Sequence, residues 1–342
     1  MKKIKNKDIA EMLGISTTAV SLALNDKPGV SEETKRKVFA ILAEREAGQK
    51  ESRNISAGKI LMVMHKKHGQ IIIEKPFFSD LIESVQTTAL KNKYTLEVSH
   101  YNTSLNLQDY VDTLAKKDIA GIVLLATEMV EEDLKYYQRL NVPIVLLDSM
   151  FEMDPYDSVS LDNTLSIIHA CEYVYRMGHR NIGYLQSSVY INNFRDRMDG
   201  FCNAIRRFGL EEYNHPVIPL HCSIEKAYSD MKMFLSNLPD GFQMPTCFLS
   251  DLDYIAVGAM RALEEAGYRI PEDISMFGFD DVSVCEVCTP KLTTIRVNRK
   301  DIGAIAVETL VKRIENPHNY YVSIQVSGEL VERDSIIRID LK

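Results

Sequence analysis

The chain has 342 residues, 45% of them hydrophobic, which is long for one domain and enough to bury a substantial core. Its formal net charge is −8, yet residues 1–59 hold twelve Lys/Arg against eight Asp/Glu, leaving 28 against 40 for the remainder, so a basic head sits on an acidic body. No apolar run approaches the length that spans a bilayer and the start MKKIKNKDIAEML breaks any signal core with charges, which points away from membrane insertion and export and makes the six cysteines (171, 202, 222, 247, 285, 288) expected cytosolic thiols.

The first elements lie in residues 7–25, KDIAEMLGISTTAVSLALN. Ile9, Ala10 and Leu13 share one helical face, Gly14 suits a left-handed turn, and Val20 and Leu24 resume the apolar stripe. The outward face of the second helix carries Thr17, Thr18, Ser21 and Leu22, residues the core does not need. This pattern predicts a helix-turn-helix whose second helix enters a DNA major groove; a plain helical hairpin gives the same periodicity. Asn25-Asp26-Lys27-Pro28-Gly29 is turn chemistry, and Ser31 then caps a third helix with Glu32 and Glu33 in its first turn and Val38, Ile41 and Leu42 on its apolar face.

The ordered strings Asp8–Ala10 (D-I-A), Gly14–Ser16 (G-I-S), Val20–Ser21, Leu24–Asn25 and V-S-E-E-T-K-R-K-V from Val30 carry a resemblance. The run from Ile4 to Val38 resembles the DNA-binding headpiece of the lactose-repressor (LacI/GalR) family of bacterial transcription factors. The resemblance implies base reading by Thr17, Thr18 and Leu22 and phosphate contacts from Ser16, Ser21, Asn25 and Ser31. Many members have a basic residue where this chain has Leu22. Leucine packs on a thymine methyl and makes no bidentate contact to guanine, so the implied operator differs from theirs. A +4 head makes few phosphate contacts, so one headpiece is expected to bind weakly and two are needed.

Residues 44–59, EREAGQKESRNISAGK, read as a flexible tether. The family's hinge helix has a proline and a leucine wedge for the minor groove, and this stretch has neither; Ile55 is the apolar residue nearest to that role.

From Lys59 strands and helices alternate. Strands are expected at Ile60–Met64, Leu96–His100, Gly121–Leu125, Ile144–Leu147, Ile182–Leu185, Thr246–Leu249, Ser275–Phe279 and Thr294–Val297. Amphipathic helices are expected between them, among them Phe78–Leu90, Thr164–Met177, Arg197–Phe208, Ile255–Ala266 and Arg299–Ile314. Such alternation implies parallel sheets covered on both faces, and the strands are too many for one sheet, so the fold class is a helical headpiece plus a two-lobed α/β body. No G-x-G-x-x-G, P-loop, G-x-S-x-G or H-x-x-x-H cluster occurs, and Cys285-x-x-Cys288 lacks the second pair a zinc site needs. No cofactor or metal is expected. Ligands of open α/β sheets sit beyond the carboxyl ends of strands, and these ends are where a site is sought.

The body extends the resemblance through P-F-F at Pro76–Phe78, V-P-I-V-L-L-D at Val142–Asp148, M-G-H-R-N-I-G-Y at Met177–Tyr184, R-M-D-G-F at Arg197–Phe201, A-V-G-A at Ala256–Ala259, G-F-D-D at Gly278–Asp281 and L-T-T-I at Leu292–Ile295. In the family this body is similar to periplasmic sugar-binding proteins, two lobes hinged by three strand crossovers around a small ligand. The resemblance implies crossovers near Val159–Asp162, near Pro290–Thr294 and around Ser323–Ser327, and effector contacts from Phe78, Asp148, Arg197, Asp253 and Asp280. Asp148 and Asp280 suit sugar hydroxyls, and the Arg197 fork suits paired hydroxyls or a carboxylate. Phe78 offers a flat face to a sugar ring or a base, or is core. The plainer alternatives are an ion pair at a helix start for Arg197 with Asp280 and a turn cap for Asp148. Sugar-binding members often have Asn-Asp where this chain has Leu252-Asp253, so a ligand with an apolar edge or a positive charge is as open as a neutral hexose.

Taken together, the expectation is a cytoplasmic repressor: headpiece 1–46, atypical linker 47–59 and body 60–342, with one lobe of 60–161 and 293–325 and the other of 162–292 and 326–342. It is expected to act as a homodimer on double-stranded operator DNA, with heads about 34–36 Å apart or a multiple of that, under a sugar-like effector and without a membrane or a catalytic role. The alternatives are a non-regulatory sugar-binding protein and a carboxylate-dependent sugar enzyme using Asp148 and Asp280.

Overall fold

The computed structural model describes residues 6–24, 29–31, 33–39, 57–72, 76–151 and 155–340, and separates the chain into two units, 1–57 and 58–342. In the first, α1 (Asn6–Leu13), α2 (Thr17–Leu24) and α3 (33–39) enclose Ile9, Ala10, Val20, Ala23 and Val38, with Leu13, Ile15, Leu24 and Val30 at the margin. The turn between α1 and α2 follows from Gly14. At φ +64° it takes the left-handed conformation that ends α1, and the Ile15 N–H donates back to the Ala10 carbonyl at 3.0 Å, the long bond of a Schellman cap. Ser16 and Ser31 are N-caps: their hydroxyls accept from the amides of Ala19 at 3.1 Å and Thr34 at 3.2 Å. Asn25 lies outside the described residues, as does the expected linker up to residue 56, Ile55 included. Gly58 and Lys59, expected as the end of that linker, already belong to a strand paired with Tyr94 and Thr95.

The second unit alternates as predicted: β1 (Gly58–Lys66), α4 (Pro76–Lys91), β2 (Tyr94–Asn102), α5 (Leu107–Leu114), β3 (Gly121–Leu125), α6 (Glu131–Tyr137), β4 (Ile144–Leu147), β5 (Asp157–Leu161), α7 (Asn163–Arg176), β6 (Ile182–Ser187), α8 (Asn192–Arg207), β7 (Val217–Leu220), α9 (Ile224–Ser236), β8 (Cys247–Ser250), α10 (Asp253–Glu265), β9 (Ser275–Asp280), α11 (Val284–Val287), β10 (Thr293–Arg296), α12 (Arg299–Glu315), β11 (Ser323–Val326) and β12 (Glu329–Val331). They build two sheets, ordered β2-β1-β3-β4-β5-β11 and β7-β6-β8-β9-β10-β12. Every pairing is parallel except β10 with β12, so the second sheet has an antiparallel edge.

Burial on both faces is why the strands read as continuous apolar runs. In the first sheet Ile60, Met62, Val123, Leu125, Val145 and Leu147 face α4 and α12, while Leu61, Val63, Ile122, Leu124, Ile144 and Leu146 face α5 and α6. In the second, α7 packs on α8 and α9 on α10.

Several strands went unseen in sequence for identifiable reasons. β5, DSVSL, is polar at positions that are buried, because its Asp157 carboxylate receives the Arg313 guanidinium of α12 at 2.5 and 2.8 Å. β7, VIPL, is a four-residue edge strand with a proline and only alternate residues buried. The chain passes between lobes at Asp162, at Val297–Asn298 and at Ser327–Gly328. The second passage corrects the expected boundary at 292/293. Thr293–Arg296 runs parallel to β9 inside the second sheet, and the chain leaves for the first lobe only with α12, which packs on β3, β4 and β5. None of the helices among the described residues is long and apolar enough to cross a membrane.

Candidate functional site

The two sheets share a strand order, so β1, β3, β4 and β5 have counterparts in β6, β8, β9 and β10. A cleft lies at the carboxyl ends of all eight strands. The first lobe lines it with Ile71 and Phe78 after β1, Thr127 after β3, Asp148 after β4 and Leu161 of β5; the second lobe adds Ile191, Asn193, Phe194 and Arg197 after β6, Leu252 and Tyr254 after β8, Asp280 and Val282 at β9, and Val297 after β10.

Asp148 and Asp280 occupy equivalent strand ends in the two lobes, and both have left-handed backbones, φ +67° and +110°. Non-glycine residues adopt that region at a cost, and here it turns each carboxylate off its strand into the cleft. Asp148 is buried and accepts from the Thr127 hydroxyl at 2.6 Å. Burial pushes its carboxyl up to about 6, against the pull of Thr127 and Arg197 and with a further push from Asp280.

Arg197, on the second turn of α8, is buried and oriented from every side. Its Nε donates to Asn163 Oδ1 at 2.8 Å, its Nη1 to the Asp251 carbonyl, its Nη2 lies 3.7 Å from Asp280, and the guanidinium stacks 3.6 Å above the Phe279 ring. A fork fixed in this way leaves its remaining protons at a defined place in the cleft.

Four of the five expected effector residues, Phe78, Asp148, Arg197 and Asp280, therefore meet in one cleft. Asp253 does not. It starts α10 with its carboxylate turned into the second lobe, accepting from the Val282 amide at 3.0 Å and the Thr294 hydroxyl at 2.6 Å, and Leu252 takes the place on the cleft wall. The packing is close: a Cβ on Gly278 would stand 2.3 Å from the Asp253 carboxylate. Burial raises this carboxyl to about 7, with a further push from Asp280.

Sequence reasoning missed the residues that shape the cleft walls. Glu128 is the foremost: its Oε2 accepts from the amides of Lys67, His68 and Gly69 at 2.9, 3.0 and 2.8 Å, and its Oε1 from Ile71 and Ile72 at 2.9 and 2.8 Å. One carboxylate thus holds the 67–72 stretch that presents Ile71. Burial raises its pKa, and the amides of Ile72, Gly69 and Ile71 outweigh that and lower it. In the second lobe Asp251 accepts from the Tyr184 hydroxyl and the Ser187 amide, each at 2.6 Å. From α12 of the first lobe, Arg299 donates across to the carbonyls of Asp280 and Asp281 at 2.8 and 3.1 Å, while Arg296 and Arg333 hold the Asp281 carboxylate at 2.7 Å each. Thr127 and Glu128 lie two and three residues past the end of β3, so the strand-end rule pointed to them.

In the first unit, Thr17 and Thr18 are exposed at the start of α2, while Ser21 and Leu22 are half-buried. The Leu22 side chain lies against Gly29, where an added Cβ would approach it to 3.3 Å.

Residues 6–46 match the profile of the lacI family of bacterial regulatory proteins, and residues 171–336 match that of a periplasmic binding protein-like domain. The HTH-type transcriptional repressor PurR of Edwardsiella ictaluri is 30% identical over 338 residues, 96% of each chain. The protein belongs to the lacI family. The lac repressor dimer bound to operator and an anti-inducer superposes with a TM-score of 0.72 at 22% identity, covering 98% of this chain and 100% of that one. A LacI-family regulator from Enterococcus faecium with bound ribose gives 0.68 at 22% identity, covering 82% of this chain and 100% of that one. At such identities the likeness is one of fold. Family and fold together make this lacI-family chain a DNA-binding transcriptional regulator whose body receives a small-molecule effector.

Proposed function

We propose that the chain is a cytoplasmic homodimeric repressor, that α2 reads its operator through Thr17, Thr18 and Leu22 with backbone contacts from Ser16, Ser21, Asn25 and Ser31, and that the effector binds between Asp148 of one lobe and Arg197 and Asp280 of the other. The observation that carries the effector site is Arg197: a buried guanidinium held by Asn163 and the Asp251 carbonyl, facing carboxylates from both lobes. A ligand that satisfies Asp148 and Arg197 together favours the closed arrangement, and that differential affinity, typically about 1–3 kcal/mol, is what operator control requires. The bound ribose of the Enterococcus faecium regulator supports a sugar-like effector.

The test is calorimetric titration of the full chain with sugars and related metabolites, alongside binding to an operator selected from genomic DNA. Arg197→Lys and Asp280→Asn are expected to lower effector affinity more than about tenfold and leave operator affinity unchanged. Undiminished effector affinity in both variants overturns the site. Stoichiometric binding without turnover separates this reading from a sugar enzyme that uses Asp148 and Asp280 as an acid/base pair.

A further inference from the structure

Cys285-x-x-Cys288 takes no part in operator or effector binding as proposed above, and its two thiols have unlike surroundings. Cys285 lies within the single turn of α11 and Cys288 is its C-cap, whose N–H donates to the Val284 carbonyl at 3.0 Å. Residues three apart on one turn share a face. Cys285 is buried and its thiol is hydrogen-bonded to the Asp253 carboxylate. Cys288 is half-buried, its thiol 3.2 Å from the Pro290 carbonyl and 3.5 Å from that of Cys285. One member is therefore reachable from solvent and the other carries a proton acceptor. The other partners of Asp253 are the Val282 amide at 3.0 Å and the Thr294 hydroxyl at 2.6 Å, both neutral, so this carboxylate can take up a proton without breaking an ion pair. Cβ atoms at the i, i+3 spacing stand about 5–6 Å apart and a disulfide needs about 3.5–4.5 Å, so closing one tightens the turn. Cys288 already has an extended backbone, ψ 161°, and the adjustment falls on the cap.

We propose that Cys285 and Cys288 are a reversible dithiol–disulfide pair oxidised by low-molecular-weight disulfides, with Cys288 as the attacking thiol, Cys285 as the resolving thiol and Asp253 as the proton acceptor. The Cys288 thiolate attacks one sulfur of the small disulfide, forms a mixed disulfide and expels a small thiolate, which takes up the proton that Cys288 released. Cys285 then passes its proton to Asp253 and its sulfur attacks Cys288 Sγ. The mixed S–S bond breaks, and the second small thiolate leaves and recovers the proton from Asp253 through solvent. The protein loses two electrons and two protons, and the small disulfide becomes two thiols. Burial pushes the Cys288 thiol up, against the pull of the Leu292 and Cys288 amides and of Arg333 and with a further push from Asp253, so the first step is slow at neutral pH and quickens as pH rises. Oxidation takes a donor from Asp253, which also holds the Val282 amide, and Val282 lines the effector cleft, so the change reaches the cleft wall.

The experiment is incubation of the reduced full chain, with Cys202→Ser to remove the exposed thiol, in oxidised glutathione at pH 7 and pH 8.5, followed by denaturing alkylation and peptide mass spectrometry. The peptide Ile270–Lys291 is expected to become two hydrogens lighter, to escape alkylation, to revert with dithiothreitol, and to react at least tenfold faster at pH 8.5. Cys285→Ser is expected to stop at one glutathione on Cys288, and Cys288→Ser to leave Cys285 unmodified. Asp253→Asn keeps an acceptor for the Val282 amide and is expected to slow the second step at least fivefold, so that the mixed disulfide accumulates. Hydrogen exchange across residues 280–284 is expected to be faster in the oxidised form. A peptide that keeps both thiols at pH 8.5 overturns the proposal, as does equal labelling of the buried Cys171 and Cys247, which signals unfolding. An unaltered second step in Asp253→Asn overturns the part of Asp253, and identical exchange in the two forms overturns the link to the cleft.

Discussion

Glu128 shows how far one side chain reaches in this fold. Its two oxygens take five backbone amides of the 67–72 turn, which otherwise has no partner strand or helix for them. Glu128→Gln keeps one acceptor oxygen and turns the other into a donor that faces three or two amide donors. The expected cost is about 1–3 kcal/mol of stability in urea unfolding, because buried amides lose their acceptor. The turn presents Ile71 to the cleft and its Gln70 carbonyl to the Cys222 thiol of the second lobe at 3.5 Å, so effector affinity is expected to fall with it, about tenfold, while operator affinity in the absence of effector stays put. Equal effector affinity in calorimetry for the wild type and Glu128→Gln counts against that role. Asp148, Arg197 and Asp280 were named through the family resemblance; the two aspartates do end strands, but Arg197, expected to start a helix, stands on the second turn of α8 because that helix begins at Asn192. Asp253 was misplaced because adjacent residues at a helix start point in different directions, and only the packing of Gly278 and Thr294 says which of Leu252 and Asp253 faces the cleft.

Among elements, α2 is the simplest to derive. Ser16 caps it, Val20 and Ala23 bury its inner face, and Thr17 and Thr18 stand exposed at its start. A recognition helix reads base edges with its first residues, and a threonine or leucine methyl discriminates thymine in the major groove. Thr17→Ala and Leu22→Ala are each expected to shift base preference by about 1 kcal/mol, roughly fivefold, in a randomised-operator selection, with non-specific affinity on bulk duplex nearly unchanged. Unaltered selectivity in both variants removes them as readers. Leu22 is half-buried against Gly29, so its truncation loosens the following turn as well, and Thr17→Ala is the cleaner measurement. Strands were legible where both faces are buried and apolar, as in β1, β3 and β4. They were not legible in β5, where an ion pair to Arg313 makes a polar sequence buriable, since that partner comes from a helix some 150 residues later in the chain.

For the whole molecule the acidic body has a pH signature. Burial raises the carboxyls of Asp148 and Asp251 to about 6 and that of Asp253 to about 7, all above an ordinary aspartate. Between about pH 4 and 7 the folded chain thus holds protons that the unfolded chain has released, and stability falls as pH rises through that window. Glu128 and Asp133 act in the opposite sense: each is desolvated by burial, but hydrogen bonds lower it on balance, so their contribution is present at neutral pH and is lost only on acidification below the usual carboxylate range. Burial also pushes the His179 imidazole down to about 4, which lowers stability near pH 5.5, but one histidine opposes three aspartates, and the melting temperature is expected to be higher at pH 5.5 than at pH 8. Asp253→Asn retains an acceptor for the Val282 amide and a donor for Thr294, and is expected to flatten that dependence. A dependence as steep in Asp253→Asn as in the wild type removes Asp253 from the account.

What the amino-acid sequence determined unaided was local and periodic: the helix-turn-helix from its apolar spacing and Gly14, and the alternation of strands and helices. Near neighbours along the chain impose such features through propensity, capping and amphipathic burial. Tertiary structure alone decided which groups meet. It put β10 in the second lobe, turned Asp253 inward, gave Glu128 five amides to hold, and brought Asp148 of one lobe to Arg197 and Asp280 of the other. These outcomes depend on pairings between segments far apart in sequence, whose energies are not written in any local pattern.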